Sequence, residues 1–414
     1  MDSGNRLVDV TQQAEVLAYQ HAAGDQQAPT PAGLKVWQPA GDDGPIPPRG
    51  WLLGTAFARG FLSGVIAAGA TGKTAVRHTQ LLSLATGRSL TSEHVHHRAR
   101  VLILSLEDGE LELRRRIRAA QLHHDIAADE LQDHLFLSAP GGTAGKLMVA
   151  DEYGRPQPGP LHDELRRTIE RHRIDVVAAD PFVKLHSLEE NSNSALDEVM
   201  VLLSDLASEF NVAVDLAHHT KKGAATPGDA DLGRGASAVR DACRLVYTLQ
   251  TMTQDEAGQF GVSAAERRHY VRMDNAKVNL APPASSARWF RLVGVDLGNG
   301  TEAYPAGDTV QAVQPWQPPD AWDGLATDLL NRVLDDISEG LPDGNQYSDA
   351  SSAKERAAWR VVQAHAPDKT EGDCRQIVKT WVRNGVLKRE TYQNPTTFKS
   401  VTGVAVNDAN RPGT

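Results

Sequence analysis

The segment Val65-Ile66-Ala67-Ala68-Gly69-Ala70-Thr71-Gly72-Lys73-Thr74 sets an apolar run, a glycine-containing turn, a lysine and a hydroxyl in immediate succession. An apolar strand that ends in such a loop, with a helix starting near Thr74, aims loop amides and a helix N-terminus at one point. That arrangement cradles an anion. Ala68, Gly69, Ala70, Thr71 and Gly72 would line the cradle, Lys73 would reach the outer phosphates of a nucleotide, and the Thr74 hydroxyl would hold Mg²⁺. The pattern G-x-x-x-x-G-K-[ST] is met in its last positions, while its first glycine falls on Ala67. The implied ligand is a nucleoside triphosphate, ATP with Mg²⁺.

Three further apolar runs end in groups that suit this ligand. In a parallel sheet ligands collect at the carboxyl ends of the strands. The run 101–106 ends in Glu107-Asp108, where an acid can orient or deprotonate a water for attack on the γ-phosphate. Its alternative is helix N-cap duty, since an arginine-rich helix follows; Glu107 as base and Asp108 as cap would satisfy both. The run 176–179 ends in Asp180-Pro181, the expected carboxylate on the Mg²⁺ side. The run 212–217 ends in His218-His219-Thr220-Lys221. Adjacent strand residues point to opposite faces, so the two histidines do not chelate one metal. One of them reads as a γ-phosphate sensor, with a structural histidine as the alternative. Glu93-His94-Val95-His96-His97 lacks a fourth ligand at a sensible spacing and reads as exposed loop.

The elements that position these groups follow from the same pattern. Short apolar runs alternate with helical periodicity from Trp51 to about 300, which predicts an α/β fold with a mostly parallel sheet covered on both faces. Residues 1–50 form a polar lead-in with a short helix expected over 8–19, then a proline/glycine stretch. The insert 141–160 reads as a loop or hairpin. The catalytic core is expected over 51–310, a proline-rich linker over 311–323 and a separate domain over 324–414. In that last part, helices are expected around 330–337, over 355–366 and from 370 to 384, followed by extended runs over 386–392 and 398–406. Three helices and a hairpin predict a winged-helix-like domain. Arg375, Lys379 and Arg383 lie off the apolar face of its third helix, where a recognition helix presents phosphate contacts; a solvated basic face is the alternative.

The chain of 414 residues is 40% hydrophobic and 23% charged, ordinary for a globular protein of two or three domains. Its two cysteines are far apart, and no apolar run approaches a membrane span, so a reducing, cytoplasmic setting without a membrane partner is expected. The formal net charge of −10 excludes a uniformly basic coat and confines any nucleic-acid surface to a local patch.

Over most of 50–300, Ala-Gly-Ala-Thr-Gly-Lys-Thr, Ser-Leu-Glu-Asp…Leu-Arg-Arg-Arg-Ile, Val-Val-Ala-Ala-Asp-Pro, Ala-His-His-Thr-Lys-Lys-Gly and Arg-Gly-Ala-Ser-Ala-Val-Arg-Asp-Ala-Cys-Arg together resemble the RepA-like AAA ATPases. These are RecA-fold proteins that include plasmid and phage replicative hexameric helicases. The resemblance implies a RecA-like P-loop NTPase core, with Lys73 and Thr74 at phosphate and Mg²⁺, Glu107 as catalytic carboxylate, Asp180 as Mg²⁺-side acid, His219 as γ-phosphate sensor and Arg116 facing the site. It also implies a homo-oligomeric ring in which each site is completed by a basic finger from the next subunit. Related ring helicases carry Lys-x-Arg where this chain has Lys277 and Asn279; Lys277, Arg244, Arg288 and Arg291 are the finger candidates. The glycine-rich stretch 222–235 corresponds to a channel-facing loop, in which Lys221 and Lys222 would touch single-stranded DNA. Two functions follow as expectations: a helicase-like motor whose C-terminal winged helix positions the ring, or a DNA-binding regulatory or loading ATPase without unwinding activity that binds duplex through Arg375, Lys379 and Arg383. A small-molecule kinase is a distant third, because Glu107 and His219 suit water activation better than transfer to a metabolite.

Overall fold

The computed structural model describes residues 36, 44–189, 192–220, 236–260, 262–282, 287–318, 327–350, 352–383 and 385–411. The chain divides into Met1–Pro48 and Arg49–Thr414. In the first unit, the described residues 36 and 44–48 are exposed and irregular, and the expected helix over 8–19 lies outside the described residues.

The second unit opens with two short strands, β1 (Trp51–Leu53) and β2 (Phe57–Ala58), and then β3 (Leu62–Ala68), which carries the phosphate loop. After helix α1 (Lys73–Thr86) come β4 (Val101–Ser105), α2 (Glu110–His123), α3 (Ala128–Leu131) and β5 (Leu135–Ser138). The insert folds as the antiparallel hairpin β6 (Met148–Ala150) and β7 (Pro156–Pro158). Then follow α4 (Pro160–His172), β8 (Val176–Asp180), α5 (Asn193–Glu209), β9 (Ala213–Thr220), α6 (Ala236–Ala242), β10 (Leu245–Thr251) and α7 (Gln254–Phe260). Three longer strands complete this part: β11 (Tyr270–Val278), β12 (Arg288–Asp296) and β13 (Thr309–Trp316).

One nine-stranded sheet has the order β13-β12-β11-β10-β3-β9-β8-β4-β5. From β10 to β5 every neighbouring pair is parallel, and from β10 to β13 every pair is antiparallel. Strand alternation sends successive apolar side chains to opposite faces. Val65, Ala67, Val101, Ile103, Val176 and Ala178 enter the core under α1 and α2. Leu62, Ile66, Leu102, Leu104, Val177 and Ala179 enter the core under α4 and α5. Burial on both faces is why these strands read as unbroken apolar runs.

The expected linker begins inside this sheet. Gln311–Trp316, which opens the proline-rich stretch expected as a linker, is part of β13, paired with β12 and packed on α1 and α2. Pro315 is tolerated because β13 is the edge strand, where a missing N–H breaks no central ladder. His124 Nε2 meets the Val313 carbonyl oxygen at 2.8 Å, and Arg115 Nε lies 3.0 Å from Asp308. The antiparallel extension therefore reaches the helices beside the phosphate loop.

The last part has its own core of α8 (Thr327–Glu339), α9 (Trp359–His365), α10 (Glu371–Arg383) and the hairpin β14 (Leu387–Gln393) and β15 (Ser400–Val406). Leu334, Val362, Ile377 and Trp381 are fully enclosed in it. The second helix is shorter than expected: 354–356 form a separate 3₁₀ turn before α9.

Candidate functional site

The site starts where β3 ends. Ala67 and Ala68 are still strand, paired in register with His219 and Thr220 of β9. The position where the motif calls for a first glycine thus needs no unusual backbone, and a buried alanine serves. The turn itself does need one: Ala70 has φ 63° and Gly72 φ 83°. An L-residue in this region costs roughly 1–2 kcal/mol, and a Cβ at Gly72 would also come within 2.7 Å of the Leu292 side chain. Helix α1 then begins with no acidic residue in its first turn and no side-chain cap from Gly72. Its first N–H groups face the loop for a negatively charged ligand.

Four elements bring their polar ends into a cavity of about 250 Å³ above this loop. Thr74 Oγ1 donates to Asp180 Oδ2 at 2.9 Å, and Lys73 Nζ lies 3.3 Å from Asp180 Oδ1. The same ammonium is 3.4 Å from His219 Nε2, and His219 Nε2 is 3.8 Å from Glu107 Oε2. A hydroxyl and a carboxylate side by side are hard oxygen donors, the set that suits Mg²⁺, so these residues fit the ion. The uncapped helix N-terminus and the buried lysine fit the phosphates of a nucleotide.

Burial lowers the pKa of Lys73, with Asp180 and Glu107 opposing. Burial pushes Asp180 up, but Lys73, Thr74 and His78 outweigh it and hold the carboxyl below its ordinary value. Burial, then Lys73, lowers His219, which keeps its ring neutral between a cation and a carboxylate. A neutral imidazole there can accept from one partner and donate to another.

Arg116 lines the same cavity, with Nε 2.9 Å from Asp108 and 3.2 Å from Glu112. Asp108 is therefore not the cap of α2. That position is Gly109, which makes no side-chain cap bond, and Asp108 instead holds Arg116. Of the histidine pair, His219 is at the cavity and His218 is buried near Phe182 on the other face, as strand alternation requires. The reading of 93–97 as exposed loop fails at Glu93. Its carboxylate is buried and accepts from Gln80 (2.5 Å), Thr91 (3.0 Å) and Arg288.

Residues 28–225 match the family model of the AAA domain. The match covers a little under half of the chain and supports a P-loop ATPase. The match spans the phosphate loop and the strand ends that carry Glu107, Asp180 and His219, all of which line the cavity. No helix among the described residues is long and apolar enough to cross a membrane.

The residues expected outside this cavity fare unevenly. Lys277 donates to the carbonyls of Arg240 (2.9 Å) and Asp241 (2.8 Å), capping the C-terminus of α6 in its own chain. Arg288 is held by Glu93 and lies 5.1 Å over the Tyr247 ring. Both are engaged within their own chain. Arg244 and Arg291 are exposed. Lys221 and Lys222 lie outside the described residues. In the C-terminal part, Arg375 is paired with Glu371 at 2.8 Å and stacked on Trp359, whereas Lys379 and Arg383 are exposed and line an open groove with Arg389.

Sequence reading misses three groups. Arg77, Asp215 and Ser63 form a buried network, with Ser63 Oγ donating to Asp215 at 2.7 Å and Arg77 Nη2 at 3.1 Å. It ties α1 to β9 beneath the site, and an aspartate in the middle of an apolar strand is its visible signal. His78, one helical turn beyond Thr74, lines the cavity, as its i+4 spacing allows. Gln311 also lines it, which follows only from the unforeseen strand β13.

Proposed function

We propose that this P-loop ATPase is a nucleic-acid motor of the RepA-like replicative helicase kind, which hydrolyses ATP and works as a homo-oligomeric ring on single-stranded DNA. The observation that carries this reading is the position of His219. It lies within reach of both Lys73 and Glu107 and is two residues from Lys221 in the chain. A group that senses the γ-phosphate then sits on the same strand that leads into the segment holding Lys221 and Lys222. Change at the phosphate is passed directly to that segment.

In this reading Glu107 accepts the proton of the attacking water, and His219 orients that water or the γ-phosphate. Lys73 and the first-turn amides hold the phosphates, and Arg116 stabilises charge that develops during transfer. Thr74 and Asp180 would hold Mg²⁺, which would supply charge neutralisation at the phosphates. Arg244 and Arg291 are the finger candidates on exposed residues, Arg291 with its guanidinium 5.8 Å over the Tyr270 ring. The C-terminal helices and hairpin act as a winged-helix-like domain that positions the ring on duplex through Lys379 and Arg383.

A second reading, a DNA-binding loading or regulatory ATPase without unwinding, is favoured by one observation: Lys277 is tied within its own chain. ATPase rate measured with and without single-stranded DNA, beside Lys73→Ala and Glu107→Gln, separates the two. Strong stimulation lost in both variants supports the motor. Slow hydrolysis indifferent to single strands overturns it in favour of the switch.

A further inference from the structure

A small pouch of about 10 Å³ between α1, α2 and β13 shares Ala75, His78, Arg116 and Gln311 with the nucleotide cavity. Its walls are Ala75, Ala120 and Ala312, and its polar groups are His78, Arg116 and Gln311. A space of this size holds about one water, and a buried water needs two to four polar partners. The three polar side chains meet that requirement.

His78 is the unusual member. It is 5% exposed, and its Nδ1 has no hydrogen-bond partner among the described residues. A buried polar atom left unpaired costs about 1–3 kcal/mol, so its position calls for a function or a bridging partner. Burial, with Asp180 opposing and Arg116 reinforcing, lowers its pKa to about 4, so the ring is neutral under ordinary conditions. A neutral ring can sit beside the Arg116 guanidinium without repulsion. Arg116, in turn, is held on its other side by Asp108 and Glu112.

We infer that His78 and Gln311 are positioning residues for hydrolysis, holding Arg116 toward the phosphates through a bridging water in the pouch they share with it. The inference rests on the ATPase reading above and adds to it two residues at the rear wall of the cavity, apart from the groups assigned to the phosphates, Mg²⁺ and the attacking water. It also gives the antiparallel extension a part in the chemistry, because Gln311 comes from β13.

The test compares His78→Ala, His78→Gln, Gln311→Ala and Arg116→Ala, alone and combined, in the full chain. The readouts are kcat and KM for ATP, affinity for Mg²⁺·ADP, affinity for Mg²⁺·ADP·aluminium fluoride, and Tm. Loss of an outer-shell positioning contact typically costs about 10- to 100-fold. His78→Ala is expected to lower kcat by that factor and to weaken the aluminium fluoride complex in parallel, with KM and ADP affinity unchanged. His78→Gln restores a neutral polar group and recovers most of the rate. His78→Ala adds little to Arg116→Ala, because both remove one function. Fully additive effects, or equal losses of ADP and aluminium fluoride binding, overturn the inference. Should His78→Ala unfold, Gln311→Ala on the exposed face of the edge strand gives the same kinetic comparison, and a wild-type rate there overturns it. A wild-type protein that binds Mg²⁺·ADP but neither hydrolyses ATP nor forms the aluminium fluoride complex removes the ATPase reading, and this inference falls with it. Normal wild-type activity that His78→Ala and Gln311→Ala leave untouched removes this inference alone.

Discussion

The nucleotide cavity and the basic face of the C-terminal helix α10 both show as short sequence patterns, yet the structure treats them differently. In the cavity, Lys73, Thr74, Glu107, Asp180 and His219 come from four elements and converge within 4 Å of a neighbour. On α10, Arg375 is drawn to Glu371, and nearby Arg389 is held by Asp349 at 2.6 Å, while Lys379 and Arg383 remain exposed. The difference is one of constraint. Parallel strands in register carry their last residues to one edge, so a group at a strand end has little choice of neighbour. A long cation on a solvated helix face has many rotamers and takes whichever carboxylate lies nearby. Positions on a buried frame identify a site; positions on an exposed helix identify only candidates for one.

The sharpest attempt to break this contrast is Glu107→Gln. It keeps shape and hydrogen bonding but removes the base. ATP turnover is expected to fall by about 10²- to 10⁴-fold with Mg²⁺·ADP affinity retained, measured by steady-state kinetics and fluorescent-nucleotide titration. An unchanged rate would remove Glu107 from the site.

Next in size is the frame beneath the cavity. Arg77→Ala leaves the Asp215 carboxyl buried without its cation, and such a loss costs about 3–5 kcal/mol. Tm is expected to drop by on the order of 10 °C. Replacing the pair together, as Arg77→Met with Asp215→Leu, should cost much less, which calorimetry on the two variants would show.

A smaller effect tests the buried histidine by pH. His78 has its folded pKa near 4, below the 6.5 of a free ring, so the neutral form is favoured by folding. Its contribution is present above pH 6.5 and is lost as pH falls toward 4, by about 1–3 kcal/mol over that window. The fall in Tm from pH 7 to 4.5 should be steeper in the wild type than in His78→Gln. Equal slopes would show that His78 is not held neutral.

The smallest effects belong to α10. Lys379→Ala with Arg383→Ala should weaken duplex binding and reduce the slope of log affinity against log salt by about two, since each lysine or arginine on a phosphate contributes about one. Arg389→Ala, already paired to Asp349, should change that slope by less than either. A larger effect from Arg389 than from Lys379 would invert the contrast.

Much of the ATPase site is legible in the amino-acid sequence alone. Runs of buried aliphatics mark β3, β4, β8 and β9, and each ends in or leads directly to a residue that lines the cavity. Local chemistry suffices there, because an apolar strand followed by a polar group has one sensible place in a parallel sheet. Asp108 misleads because capping and ion pairing compete for the same carboxylate, and only the placement of Arg116 decides between them. Glu93 misleads because Arg288, which holds its carboxylate, is nearly two hundred residues away in the chain. Strand β13 misleads because Pro315 and the prolines just after it signal a linker locally, whereas an edge position makes Pro315 tolerable.

By itself, then, the sequence determined which strands carry chemistry, the phosphate loop and the order of the acidic and histidine groups after it. These follow from backbone preferences and hydrophobic periodicity, which act over a few residues. Only the tertiary structure decided that the antiparallel strands reach the helices beside the phosphate loop, that Lys277 caps α6 within its own chain, and that His78, Arg116 and Gln311 share one pouch. Those outcomes depend on side chains far apart in the chain, and the packing of the sheet against its helices, not any local preference, brings them together.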